Sequence, residues 1–112
     1  MTKMFVAGLI LATVGSASVV FAEPDGDIES GKKHFRRCAS CHMIGDDAVN
    51  RVGPALTNTF GAVIGSDPDF RYSDVLVAAG QEGRIWDEEA LDAFLESPRE
   101  YLPRNKMSFR GF

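Results

Sequence analysis

Cys38-Ala39-Ser40-Cys41-His42 contains both cysteines of this 112-residue chain and one of its two histidines. Two cysteines with two residues between them, followed at once by histidine, form the pattern of a c-type haem attachment site. On a helical turn both sulfurs point the same way, so each can add to one haem vinyl group. The imidazole beside them then faces the iron as a proximal ligand. Three other uses of the same residues compete with this one. A thioredoxin-like redox pair needs a βαβ setting, and no alternation of strand and helix surrounds the motif. A structural zinc site could draw on His34, Cys38, Cys41 and His42, but adjacent Cys41 and His42 suit tetrahedral closure poorly. A disulfide between Cys38 and Cys41 would close a tiny, strained loop.

The first 22 residues form a separate unit. Lys3 gives a short positive region, Met4 to Phe21 is apolar or small throughout, and Val20-Phe21-Ala22 precedes the polar Glu23-Pro24-Asp25-Gly26-Asp27. This is the pattern of a secretory signal peptide cut after Ala22. Residues 23–112 are then the single mature domain. Its rival is an uncleaved membrane anchor, because Met4 to Ala22 approaches the span of a bilayer. Gly8, Gly15, Ser16 and Ser18 dilute its hydrophobicity and favour cleavage. Export, in bacteria to the periplasm, also suits a cofactor attached outside the cytoplasm. Lys3 is the only charge in the leader, so its removal takes the formal net charge from −4 to −5. That acidity argues against nucleic acid as a partner.

The mature chain shows no repeat and no second domain. Asp27 is placed to cap a helix from about Ile28 to Arg37. Met43 to Asn58, with Gly45, Gly53 and Pro54, is expected to be loop. Ser73 can cap a short helix ending at Ala79, with Gly80 as its stop. Asp87 can cap a further helix, Glu88 to Glu96, whose apolar Ala90, Leu91, Phe94 and Leu95 share a face. Pro98 ends it. No stretch alternates as a strand, so the expected fold is all-α: short helices and long loops around one covalent haem.

Elimination suggests the second axial ligand. Met1 and Met4 leave with the leader, Met43 adjoins His42, and His34 lies one turn before Cys38 on the same side. Met107 remains, 65 residues beyond His42. A thioether is a soft, neutral ligand, and a His/Met pair raises the reduction potential. Ordinary apolar packing is the alternative use of Met107.

With these residues in view, the chain from about Asp27 onward resembles the class I c-type cytochromes, mitochondrial cytochrome c and its soluble bacterial relatives. Gly31 and Phe35 resemble the first-helix pair on which another helix packs. Val52-Gly53-Pro54-Ala55-Leu56 resembles the segment below the haem, which implies a hydrogen bond from His42 to the Pro54 carbonyl. Phe70-Arg71-Tyr72-Ser73-Asp74 and Trp86 resemble the segments that hold a buried propionate through the tyrosine and the tryptophan. Leu95-Glu96-Ser97-Pro98 and Tyr101 through Phe109 match the approach to the methionine ligand, which adds Asn105 to the implied cofactor contacts. The implied set is thus Cys38, Cys41, Pro54, Tyr72, Trp86 and Asn105 around one haem c, with His42 and Met107 on the metal. Four departures stand out. Ala62 replaces a frequent arginine, Phe94 a frequent tyrosine and Arg104 a common glycine. The chain given stops at Phe112, so the expected fold lacks the family's C-terminal helix.

The expected function is one-electron carriage between larger redox proteins, and no residue looks like a catalytic acid, base or nucleophile. Lys32, Lys33, Arg36, Arg37, Arg51, Arg104 and Lys106 are expected to border the haem edge and steer the protein to acidic patches on a reductase or oxidase. Asp87, Glu88, Glu89, Asp92, Glu96 and Glu100 fall elsewhere; a plain solvated face is the alternative use of both groups. A membrane is a partner only if the leader is retained. Should Met107 not bind, an open sixth position would make a ligand-binding or peroxidase-like haem protein instead.

Overall fold

A computed structural model of the chain describes Gly15 and residues 26–112; the rest of the leader and the cut after Ala22 lie outside the described residues. Four α-helices follow in order: α1 (Ile28–Phe35), α2 (Asp74–Gln81), α3 (Glu88–Glu96) and α4 (Pro98–Tyr101). Among the described residues the only β pairing is an isolated antiparallel bridge between Val63 and Ile85. None of these helices is long and apolar enough to cross a membrane. The all-α expectation holds.

Local chemistry accounts for most of the helix ends. The Asp27 carboxylate accepts the Ser30 amide at 2.6 Å and starts α1, satisfying one of the unpaired donors of a first turn. Asp87 does the same for α3, accepting the Ala90 amide at 2.8 Å. Before Pro98, Ser97 is forced out of the helical region (φ −151°, ψ 88°), which separates α3 from α4. Pro98 then opens α4, where its missing N–H is no loss.

The structure corrects two sequence expectations. α1 stops as a regular helix at Phe35, not Arg37, and continues as a series of turns through Cys41. α2 does not stop at Gly80 but runs on to Gln81, and Gly83 takes the left-handed conformation instead (φ +79°). Gly80 serves a different purpose. A Cβ there would collide with the Ile64 carbonyl oxygen and stand 3.5 Å from Val63 Cγ1. Glycine is what lets α2 lie against the bridge.

The core is built from Ile64, Ala79, Trp86, Ala90, Phe94 and Leu102, with Val75, Leu76, Leu91, Leu95, Tyr101 and Met107 packed around it. The Trp86 and Phe94 rings pack at 4.9 Å between centroids, tilted by 53°. The Phe94 position, polar in many of the proteins the sequence resembles, is thus filled by an apolar ring in an apolar contact. α3 and α4 pack on each other. α1 buries no side chain, and a Cβ on Gly31 would meet nothing within 4 Å. Of the pair expected to await another helix, Gly31 is open among the described residues, while Phe35 is half-buried.

Candidate haem site

The Cys38–His42 segment is wound by the turns that follow α1. Cys38 N–H donates to the Phe35 carbonyl at 2.8 Å, and Cys41 and His42 donate to the Cys38 carbonyl at 3.1 and 2.9 Å. That winding puts Cys38, Cys41 and His42 at i, i+3 and i+4, one face of a turn. All three are half-buried, and both cysteines are free thiols. Burial pushes the Cys38 thiol up, while the neighbouring Arg37 pulls the other way.

The loop 51–56 is laced to this turn. Gly53 donates to the Cys41 carbonyl at 2.9 Å and Leu56 to the Met43 carbonyl at 2.8 Å. These bonds bring the Pro54 carbonyl to 2.7 Å from His42 Nδ1. Since a carbonyl only accepts, Nδ1 carries the proton and Nε2 keeps its lone pair, the tautomer that can ligate a metal. Gly53 is buried under the ring, where a Cβ would overlap Cε1 and lie 2.7 Å from Nδ1. Only glycine lets the backbone approach the imidazole this closely.

The methionine segment is set by Asn105. Its amide nitrogen donates to the Pro98 and Leu102 carbonyls, both at 2.8 Å, and its oxygen accepts the Met107 amide at 2.8 Å. The side chain named as a cofactor contact is therefore engaged by three backbone groups and braces the loop that carries Met107. Met107 itself is half-buried against the core. Lys106 Nζ reaches the Tyr72 carbonyl at 3.5 Å, tying this loop to the Tyr72 segment.

Around Tyr72 the structure adds residues that the sequence did not single out. The Tyr72 hydroxyl accepts the Asp67 amide at 3.3 Å, and burial pushes its pKa up. Asp67 accepts the Asp69 amide and the Asn50 side chain, each at 2.9 Å, and these bonds hold its carboxyl below the usual range. Asn50 in turn accepts the Ala55 amide at 2.7 Å. Asn50 thus links the loop under His42 to the loop before Tyr72. Next to Tyr72, Ser73 stands at the start of α2, yet its side chain makes no capping bond. Its hydroxyl is buried and has no hydrogen-bond partner. An orphaned buried hydroxyl costs about 1–3 kcal/mol, and an acceptor arriving beside Tyr72 would satisfy it. The donor set fits a haem: two thiols, an imidazole with a free Nε2, a thioether, and a buried hydroxyl in want of a partner.

The competing uses of the cysteine turn fare worse. Among the described residues no three His, Cys, Asp or Glu side chains gather as a metal ion would need, so His34, Cys38, Cys41 and His42 do not form a zinc site. No βαβ unit surrounds them among the described residues. A shallow depression elsewhere is lined by Arg84, Asp87 and Tyr101 among others, and none of its lining residues belongs to the set above.

No protein-family model matches the chain. Similar proteins are nonetheless plain. Cytochrome c2 of Afifella marina is 48% identical over 84 residues, 75% of this chain and 68% of that protein. Cytochrome c2 of Agrobacterium tumefaciens is 42% identical over 87 residues, 78% of each chain. In three dimensions the structure of cytochrome c2 from Rhodospirillum centenum superposes with a TM-score of 0.72 at 35% identity, over 76% of this chain and 84% of that one. Taken with the cysteine–histidine turn, these likenesses show that the chain belongs to the class I c-type cytochromes, small helical electron carriers, rather than enzymes, that hold haem c covalently through paired cysteines such as Cys38 and Cys41.

Proposed function

We propose that this cytochrome carries single electrons between larger redox proteins in the periplasm, with His42 and Met107 as axial ligands of its haem. The observation that carries the ligand assignment is the 2.7 Å bond from His42 Nδ1–H to the Pro54 carbonyl. It fixes the ring's orientation and leaves Nε2 as donor, and such a bond makes the imidazole a better one. When bound, the haem supplies the ferric–ferrous couple. The protein's part is to hold both ligands still, so that little rearranges as the electron passes.

Asn105 does this for Met107 through three bonds to backbone. Tyr72, Ser73 and Trp86 supply the buried polar wall for a propionate, and Ser73 gains the partner its hydroxyl lacks. Residues 1–22 direct export and are removed after Ala22, leaving 23–112 as the mature domain. The basic residues Lys32, Lys33, Arg36, Arg51 and Lys106 are all exposed and suit docking to acidic partners.

Substitution of Met107 tests the ligand pair. The holoprotein should show the weak near-infrared sulfur-to-iron band when oxidised and ignore carbon monoxide when reduced. Met107→Ala should lose that band, turn high-spin, bind carbon monoxide when reduced, and drop markedly in potential. An unchanged low-spin spectrum and potential would identify another ligand. A native protein that is already high-spin would replace this reading with the open sixth position.

A further inference from the structure

After Met107 the chain turns back across the molecule and is fastened at two places. Phe112 N–H donates to the Leu95 carbonyl at 3.1 Å. Gly111, at φ +114°, lies so close to the Glu96 carbonyl that no Cβ would fit. The tail is thereby docked on the end of α3. Its two aromatic rings then face α1. Phe109 and Phe112 lie 5.0 Å apart between centroids, edge to face at 64°. The Arg37 guanidinium carbon stands 4.9 Å from both centroids. His34, whose Nδ1–H donates to the Ser30 carbonyl at 2.8 Å, meets the Phe112 ring edge-on at 5.4 Å and 82°.

The placement in sequence gives this cluster its interest. Arg37 immediately precedes Cys38, and Phe109 follows Met107 by two residues. α1 packs on no other described helix, so these rings are a main tie between the two segments. We propose that Arg37, gripped by Phe109 and Phe112, is a positioning residue that holds the Met107 loop closed over the haem. The inference rests on Met107 being the distal ligand.

A cation within about 6 Å of an aromatic face is held by the ring quadrupole, modestly at an exposed site. Two rings share this one guanidinium. Opening the loop must break both contacts. Weakening them raises the fraction of molecules with Met107 released, and an outside ligand then binds more tightly by that same factor.

Imidazole added to the ferric holoprotein is the probe, followed by loss of the sulfur-to-iron band. Arg37→Gln, which removes both contacts, should bind imidazole about five- to thirtyfold more tightly, and Phe112→Leu, which removes one and leaves the charge untouched, about two- to fivefold. Arg37→Lys should recover part of the difference. The double variant should gain less than the product of the two single effects, because both break the same clamp. Denaturant midpoints measured alongside separate a general loss of stability, which moves the midpoint and leaves imidazole affinity alone. Imidazole affinities within twofold of native in both single variants, with the native band present, overturn the clamp. If the native protein lacks the band, the His42/Met107 assignment fails first and the clamp falls with it.

Discussion

Arg104 has φ +69° and Asn58 φ +58°, the two non-glycine residues of the described chain in the left-handed region. That conformation costs an ordinary L residue about 1–2 kcal/mol through Cβ crowding, while asparagine tolerates it. The two positions should therefore respond in opposite directions. Arg104→Gly relieves the crowding but loosens the unfolded chain, which cancels about half of the gain. It should raise the thermal midpoint of the holoprotein, with a net benefit of up to about 1 kcal/mol. Asn58→Ala should lower it by a similar amount. A midpoint that falls or stays level in Arg104→Gly would mean that the Arg104 side chain contributes something this backbone account omits. The residue scale is also where the sequence was most legible at the haem. The Cys38, Cys41 and His42 triplet is constrained by its own chemistry, and the His42–Pro54 bond expected from the family resemblance is present at 2.7 Å. Ser73 and Asn50 were not legible as partners of that site. Ser73 occupies an N-cap position and reads as a cap, yet its hydroxyl is left for something else. Asn50 meets Asp67, 17 positions further along the chain, for which there is no local pattern.

At the scale of elements, the bounds of α3 are legible in the sequence because Asp87 caps it and Pro98 stops it, both local devices. The end of α2 is not legible in the same way, because one residue type serves two purposes. Glycine after a helical run is the usual stop signal, but at Gly80 it meets a tertiary demand, the close approach of the Ile64 carbonyl. A substitution separates the two. On helix propensity alone, Gly80→Ala should stabilise α2 by about 1 kcal/mol. Packing predicts the reverse: the new methyl must push α2 away from the Val63–Ile85 bridge, at a cost of about 1–3 kcal/mol for an overfilled contact. The net effect should be destabilising, with the denaturant midpoint lowered. A raised midpoint would mean the bridge yields easily and α2 is positioned by other contacts.

At the scale of the whole molecule, the protein interior is unevenly distributed. The buried apolar side chains run from Ile64 to Leu102, and the described residues around the attachment turn add none. α1 is eight residues long and buries no side chain. A helix that short is not stable in water on its own, because nucleation is costly and packing provides most helical stability in proteins. Its ties to the rest are the turn at Cys38–His42, the loop bonds beneath it and the aromatic tail. The covalent cofactor joins that turn to the remainder of the domain, so folding of α1 should depend on it. A Cys38→Ser/Cys41→Ser double variant, which cannot form either thioether, should retain at most the Ile64–Leu102 core. In hydrogen exchange, the amides of the last turn of α1, Lys32 to Phe35, should be protected in the holoprotein and exchange freely in the variant. Amides of α3 should keep part of their protection, because Phe94 and Trp86 pack without help from the attachment turn. Equal protection of α1 in both proteins would show that the loop bonds and the tail are sufficient to fold it, and that the thioethers add attachment without adding structure.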